Sequence, residues 1–517
     1  MRVSGALLMT AHRYRVPTAN GAVLAEPGFE AIPALVEANR KLLDRTDVMI
    51  GGLPLRELRA LARREVLELA HADHSPDGPL LLAGHEPELS HPGAWVKNFA
   101  LTGLARKLDG IPLNLVVDHD TLKDTSFRFP VFTHRDPASV RTESLAFDNF
   151  AGEVPYEDRT VIDEEQFRTF ADRAAPLCAN WGYEPLLSRC WASLASGGRK
   201  PPEKTSQSQR FGSHSGGLRP PLATHAINIG ERFVATRRYF EREWGCHNLE
   251  ITVSRLSQTE VFAHFVRHIV TDLPRFRKVY NAAIRAYRKT YGIRSANHPA
   301  PELAEGEAPF WVHKDNGKRE HATPSSGVRT LRPRALTLTL FARVCLGDFF
   351  IHGVGGGKYD EVTDAIIRDY FGIEPPAYQV LSATLHLPLP AFRSTVDDLK
   401  RAERHLRDLH WNPQRHLSAE QLAAPEVQAL LSARAALVTS EPPYAEHAAR
   451  RRWFRDLQQL TERLRPFVRT QVPDAEARLR RVQDEVDANA VLQRRDYAWV
   501  LYPEGTLRLF LQQFLRV

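Results

Sequence analysis

Apolar and polar positions divide this chain into an α/β part and a helical part. Apolar residues recur at helical spacing through FEAIPALVEANRKLL and LPLRELRALARREVLELAHA, which predicts helices within 29–71. PDGPLLLAG (76–84) reads as a turn followed by a short apolar strand. HPGAWVKNFALTGLARKLDG (91–110) starts with proline and ends in glycine, as a helix does, and IPLNLVV (111–117) reads as the next strand. Strand, loop, helix and strand in that order predict adjacent parallel strands in an α/β sheet. Helices resume at 226–245 and 257–291. FWVHKDNGKRE (310–320) predicts a β-hairpin turning at Asn316-Gly317. ALTLTLFARVCLGDFFIHG (335–353) is an apolar stretch ending in a glycine loop, and a helix follows over 359–371.

Two segments differ in texture. Residues 196–223 are rich in Ser, Gly, Pro and Arg without apolar periodicity, which predicts a disordered insertion. Beyond 390 the chain is charged and amphipathic, with helices expected at 446–469 and 474–496 joined by Val472-Pro473-Asp474. Trp453, Leu457, Leu460, Leu464 and Phe467 recur at three- and four-residue steps, and Leu479, Val482 and Val486 answer them on the second helix. That pattern predicts an antiparallel helical hairpin or short coiled coil, either packed on the core or serving as a dimerisation arm. The domain reading is therefore a core over 1–390, a helical arm over 391–497 and an aromatic tail over 498–517 that packs back on the core.

Composition narrows the function classes. At 517 residues, 43% hydrophobic and 25% charged, the chain can bury a large core. The net charge of +7 is spread along the chain among 62 acids, and no nucleic-acid-binding motif occurs; the excess of base suits anionic small molecules better. No stretch approaches the roughly 20 apolar residues that span a bilayer, and the apolar run at the N-terminus is too short for a signal peptide. The four cysteines show no CxxC spacing, so a reduced, cytoplasmic protein is expected, without a disulfide framework or zinc site.

Four constellations carry candidate chemistry. Gly84-His85-Glu86-Pro87-Glu88, with His91 after it, lies between a strand and a helix whose first turns hold Lys97 and Asn98. Ligands of open α/β sheets bind at the carboxyl ends of strands, and a helix N-terminus there attracts anions. Asp118-His119-Asp120 ends the next strand and should face the same crevice. Two carboxylates around an imidazole can bind a metal, orient a base or hold an ammonium group. His85, His91 and Asp118 or Asp120 form a candidate two-His–carboxylate set, while Asp118 alone can simply cap a turn. His352-Gly353-Val354-Gly355-Gly356-Gly357-Lys358 follows a strand and precedes a helix, so its backbone can approach a ligand closely, with Lys358 as a phosphate or carboxylate partner. It is not a Walker loop, because Tyr359 stands where Ser or Thr is required. Arg332 and Arg334 suit carboxylate or phosphate recognition.

Three of these stretches resemble the bacillithiol biosynthesis cysteine-adding enzyme family (BshC). They are LLLAGHEPELSHPGAWVKNFALTGLARKLDGIPLNLVVDHD, PFWVHKDNGKRE and LRPRALTLTLFARVCLGDFFIHGVGGGKYDEVTDAIIRDYFGIEPP, in the family's order, and the likeness spans about 80–400. The chain departs from the family at Gly84-His85-Glu86, usually Gly-Gln-Gln, and at Gly355-Gly356-Gly357-Lys358, usually Gly-Pro-Gly/Ala-Glu. The resemblance implies a Rossmann-like core, a coiled-coil arm that mediates homodimerisation, nucleotide (ATP or ADP) binding, and a reaction joining cysteine to the amine of glucosaminyl-malate. On that basis Asp118, His119 and Asp120 are expected to handle protons or position the amine, with Asp118 orienting His119. Gly84, His85, Glu86, His91, Lys97, Asn98, His352, Gly353, Gly355, Gly356, Gly357 and Lys358 are expected to hold the anionic substrate, amino acid or nucleotide. Two other classes compete: a metal-dependent hydrolase using His85, His91 and Asp118, and a non-catalytic dimeric binding protein.

Overall fold

A computed structural model describes residues 14–72, 77–133, 136–195, 228–314 and 317–517. The fold is mixed α/β. Its central sheet has six strands: β1 (Val23–Glu26), β2 (Leu80–His85), β3 (Ile111–Val116), β4 (Leu249–Thr252), β5 (Phe349–His352) and β6 (Gln379–Ala383). The spatial order is β1-β6-β5-β2-β3-β4. β2 to β6 run parallel, and β1 is added antiparallel at the edge. Leu80, Leu81, Leu82 and Ala83 are all fully buried, as expected of a parallel strand covered on both faces. The predicted 76–84 and 111–117 strands thus form, as neighbours, with α1 (Pro92–Lys107) crossing between them. β4 was not foreseen: LEIT is too short to show a period.

The chain order of these strands creates a switch. From β2 the chain proceeds to β3 and then β4 on one side; it returns to β5 and β6 on the other. Crossovers therefore leave β2 and β5 in opposite directions at their carboxyl ends, where a crevice must open.

The glycine run after β5 is not a loop. Gly353 is the N-cap of α2 (Val354–Ile366), so Gly355, Gly356, Gly357 and Lys358 lie in its first turns, several residues before the predicted helix start. The reason is packing. A β-carbon on Gly357 would sit 2.3 Å from Val380 Cγ2, so the absent side chain lets α2 lie against β6. The 310–320 hairpin pairs Ala308–His313 with Arg319–Ala322, and Leu331–Pro333 adds a third strand. Gly317 has φ 72°, the left-handed conformation expected at the turn; Asn316 lies outside the described residues, as does the predicted insertion at 196–223.

The contacts divide the chain into two compact units. The second consists of Leu389–Arg494 with Pro130–Glu143, a segment that the sequence reading left in the core; all else belongs to the first. The tail is in the first unit: Trp499 stacks at 4.5 Å on Trp95, and α7 (Glu504–Gln512) packs on α1. The second unit contains α3 (Val396–Trp411), α4 (Pro425–Thr439), α5 (His447–Val468) and α6 (Val472–Leu492). The expected zipper of α5 on α6 is replaced by pairings of α5 with α4 and α6 with α3. Leu464 of α5 is buried with Val427 and Leu430 of α4, and Trp453 Nε1 donates to Leu437 O at 2.7 Å. Of the two stripes only Leu464 and Val482 are fully buried, the rest partly so, and α4, a helix not foreseen, supplies the surface that covers Leu464.

Packing at Gly357 yields a test. Gly357→Ala should destabilise the protein by about 1–3 kcal/mol through overpacking, and Val380→Ala in the same chain should recover most of the loss in melting temperature.

Candidate functional site

The crevice at the β2–β5 switch has a volume of about 600 Å³. Gly84, His85 and Glu86 reach it from the end of β2, His119 and Asp120 from beyond β3, and His352, Gly353, Gly355 and Gly356 from β5 and α2. Lys97 reaches it from the second turn of α1, and Trp311, Arg319 and Arg334 line it from the small three-stranded sheet and the residue after it. Three sequence-distant constellations therefore converge on one cavity.

Its electrostatics favour an anion. Lys97 is 4% exposed. Its Nζ donates to Gly84 O at 2.8 Å, and among the described residues no carboxylate comes within the 4.0 Å of an ion pair. Burial pushes its pKa down to about 8, against the opposing pull of Glu86 and Glu88. Arg334 is 6% exposed; Nη2 donates to Glu307 Oε1 at 2.6 Å, while Nε and Nη1 are buried without a protein partner. Its guanidinium stacks 4.3 Å from the centroid of the Trp311 ring, and Arg319 lies 5.1 Å from the same ring. The first N–H groups of α2 also lack intrahelical acceptors, as at any helix start, and α2 opens on this cavity. Gly355 has open space where a β-carbon would be. Burying cations without enough counter-charge is costly, and a bound anion removes that cost.

His119 is a second buried group without a partner. It is 4% exposed, its Nδ1 makes no hydrogen bond, and burial pushes its pKa down to about 4, so the ring is neutral near pH 7. Its carbonyl accepts from Arg319 Nη1 at 3.2 Å, which also approaches Asp120 Oδ1 at 3.5 Å.

Several expected site residues lie elsewhere. Asp118 does not orient His119: its Oδ1 accepts from Ser254 N at 2.9 Å and its Oδ2 from the Ser254 hydroxyl, tying the chain just beyond β3 to the second residue after β4. Burial pushes its pKa up to about 6. Consecutive side chains point in different directions at a strand end, so His119 and Asp120 reach the crevice and Asp118 does not. Asn98 donates to Glu241 Oε1 at 2.7 Å inside the core. Gly357 serves helix–strand packing, and Lys358 is exposed and absent from the crevice lining. The arginine pair separates too, because Arg332 binds Glu157 in a bidentate pair (2.9 and 3.1 Å).

His91 lines a different cavity of about 430 Å³, which shares His85 and Glu86 with the crevice and adds Glu88, Lys123, Tyr156 and Asp496. Its ring is pushed down to about 3, chiefly by burial. The alternative metal set does not assemble: among the described residues, the one group of three ligand atoms within 4.8 Å of each other comprises His85, Glu86 and Glu88, without His91 or Asp118. His85 lies 3.1 Å from Glu86 Oε2 and 4.0 Å from Glu88 Oε1, so an imidazolium would serve these carboxylates equally well. Glu307, Arg319 and Trp311 were missed as site residues. The hairpin holding the last two was recognised as a structural element, but nothing local in it points to a ligand.

No protein-family model matches the chain, and no curated protein matches it.

Two measurements check these assignments. Lys97 is charged below about pH 8 and neutral above it, so affinity for a small anion, probed with malate by titration calorimetry, should hold near pH 7 and fall by up to about tenfold per pH unit above 8; Lys97→Met should remove the pH dependence together with most of the binding. Asp118→Asn should lower the melting temperature while leaving malate affinity within about twofold, as befits a group that binds Ser254, since losing a charge-assisted buried bond costs about 1–3 kcal/mol.

Proposed function

We propose that this protein is a carbon–nitrogen ligase similar to the bacillithiol biosynthesis cysteine-adding enzymes. It joins cysteine, or a related amino acid, to the amine of a glucosaminyl-malate-like acceptor on a Rossmann-like core. One observation carries the reading: the three stretches that resemble the family, separated by up to about 210 residues, all contribute lining to the crevice at the strand-order switch. A resemblance confined to packing residues would have no reason to collect around one cavity.

The chemistry needed is modest. Amide formation requires an activated carboxyl group, a neutral amine and groups that hold both in reach. Lys97, Arg334 and the α2 N-terminus supply positive potential for an acceptor that carries two carboxylates. Trp311, stacked on Arg334, offers an aromatic face to a sugar or a base. Asp120 and Glu86 are the acidic groups on the wall, suited to an ammonium group on the incoming amino acid. A nucleotide belongs to this reading as the source of activation, and a homodimer through the helical unit as its assembly. The changed residues that line the crevice, His85, Glu86, Gly355 and Gly356, make the acceptor or the amino acid the point where this protein would differ from the family.

The test is direct. Purified protein incubated with glucosaminyl-malate, cysteine and ATP should yield the coupled thiol by mass spectrometry, and Lys97→Met should reduce the yield by about 100-fold or more. Product formed with another amino acid but not cysteine would redirect the substrate; no product with any of the twenty would overturn the ligase reading.

A further inference from the structure

The sequence reading placed proton handling at Asp118-His119-Asp120, but Asp118 is committed to Ser254, and His119 Nδ1 has no hydrogen-bond partner among the described residues. A carboxylate–imidazole pair does exist in the crevice, on β5 and α2. His352 Nε2 lies 2.7 Å from Asp360 Oδ2, and the two residues are 6% and 1% exposed. Asp360 is held from behind by Arg343, whose Nη1 donates to Oδ2 at 2.7 Å. The His352 ring is clamped by Phe350, stacked at 4.3 Å, and by Tyr378, edge-on at 5.1 Å. Its other nitrogen, Nδ1, has no hydrogen bond from any described residue and faces Gly356, where a β-carbon would come within 2.9 Å. His352 and Gly356 both line the crevice. Thus one ring nitrogen meets a buried carboxylate, and the other meets the ligand space over the glycine turn.

We infer that His352, backed by Asp360, is the proton acceptor of the crevice. The inference rests on the ligase reading for the identity of its substrate, an amine bound as its ammonium form. The ammonium N–H proton passes to Nδ1, leaving a neutral amine with its lone pair free and an imidazolium whose charge is met by Asp360. The proton returns to solvent after product leaves. This explains the glycine at 356: a side chain there would occupy the space in front of Nδ1. The Nε2–Asp360 contact is short but bent away from a straight hydrogen bond, a common state of catalytic pairs before ligand closes on them.

The groups around the ring set its titration. Asp360 from α2 raises the imidazole pKa; burial, Arg343 from the helical stretch before β5, and Lys97 from α1 lower it, and the net shift is downward. Tyr378 meets it in a T-shaped ring contact. His352 is therefore neutral near pH 7 and able to accept a proton. Among the described residues no carboxylate comes within the 4.0 Å of an ion pair to His119, whereas Asp360 lies 2.7 Å from His352, so His119 is the weaker candidate.

Two arms test the inference and separate it from the ligase reading. In the first, the full-length protein with 15N-labelled histidine is titrated by NMR, with His352→Gln assigning the signal. Nδ1 should be unprotonated and Nε2 protonated at pH 7, and Asp360→Asn should lower the ring's pKa by about one pH unit or more. A proton on Nδ1 at pH 7, or no response to Asp360→Asn in a folded variant, overturns the pair whatever the enzyme's substrate. In the second, the coupling assay, His352→Gln should lower kcat by about 100-fold or more with KM within about threefold. Added imidazole should restore activity to His352→Ala, which a merely structural role would not allow. An active wild type with His352→Gln equally active overturns the inference; an inactive wild type overturns the ligase reading and leaves the first arm to decide the pair.

Discussion

The parallel pairing of Leu81–Ala83 with Phe349–Ile351 is the contact on which the rest of the site depends. These strands are separated by more than half the chain, and the connections leave their carboxyl ends toward opposite sides of the sheet. Backbone hydrogen bonds hold the two strands side by side, while the departing chains cannot cover the gap above them. The Gly84–Glu86 loop, the α2 N-terminus and the end of β3 all inherit their positions from that arrangement. A slip of one residue in β5 would exchange His352, on the crevice side, for Ile351, which is fully buried.

The crevice is expensive to maintain. Lys97 and Arg334 are buried with fewer counter-charges than they need, and the His119 ring keeps an unpaired nitrogen. Other buried cations face carboxylates directly: Arg159 meets Asp148 at 2.8 Å, and Arg237 meets Glu241 and Glu250 at 2.5 and 2.6 Å. Lys97 and Arg334 therefore leave positive potential facing the crevice, a cost that a bound anion would offset. The glycines follow the same division. Gly357 is glycine because Val380 is against it, whereas Gly355 and Gly356 leave room above the helix start.

Much of this was legible locally. β2, α1 and β3 follow from a buried apolar run, a proline start and a second apolar run. The convergence of His85 with His119 follows from their place at the ends of neighbouring parallel strands. What failed did so for identifiable physical reasons. The glycine run looked like a loop because helix propensity is a local measure, and a tight interface with β6 outweighed it. The α5–α6 zipper failed because two stripes can each find a better partner, and periodicity identifies a buried face without identifying what buries it.

Sequence alone determined which segments could be strands and helices, that a polar loop led from β2 into a helix, and that polar groups clustered beyond the end of β3. It could not determine which neighbour a given side chain would meet. Asp118 and His119 are adjacent in the chain yet face different ways, and Asp118 ends on Ser254, 136 residues later. His352 and Asp360 are eight residues apart and look unrelated by any helical or strand period, because one ends a strand and the other lies in the helix that folds back over it. Such pairings depend on where β5 enters the sheet and how closely α2 packs on β6. Those are long-range packing choices, so only the tertiary structure decides them.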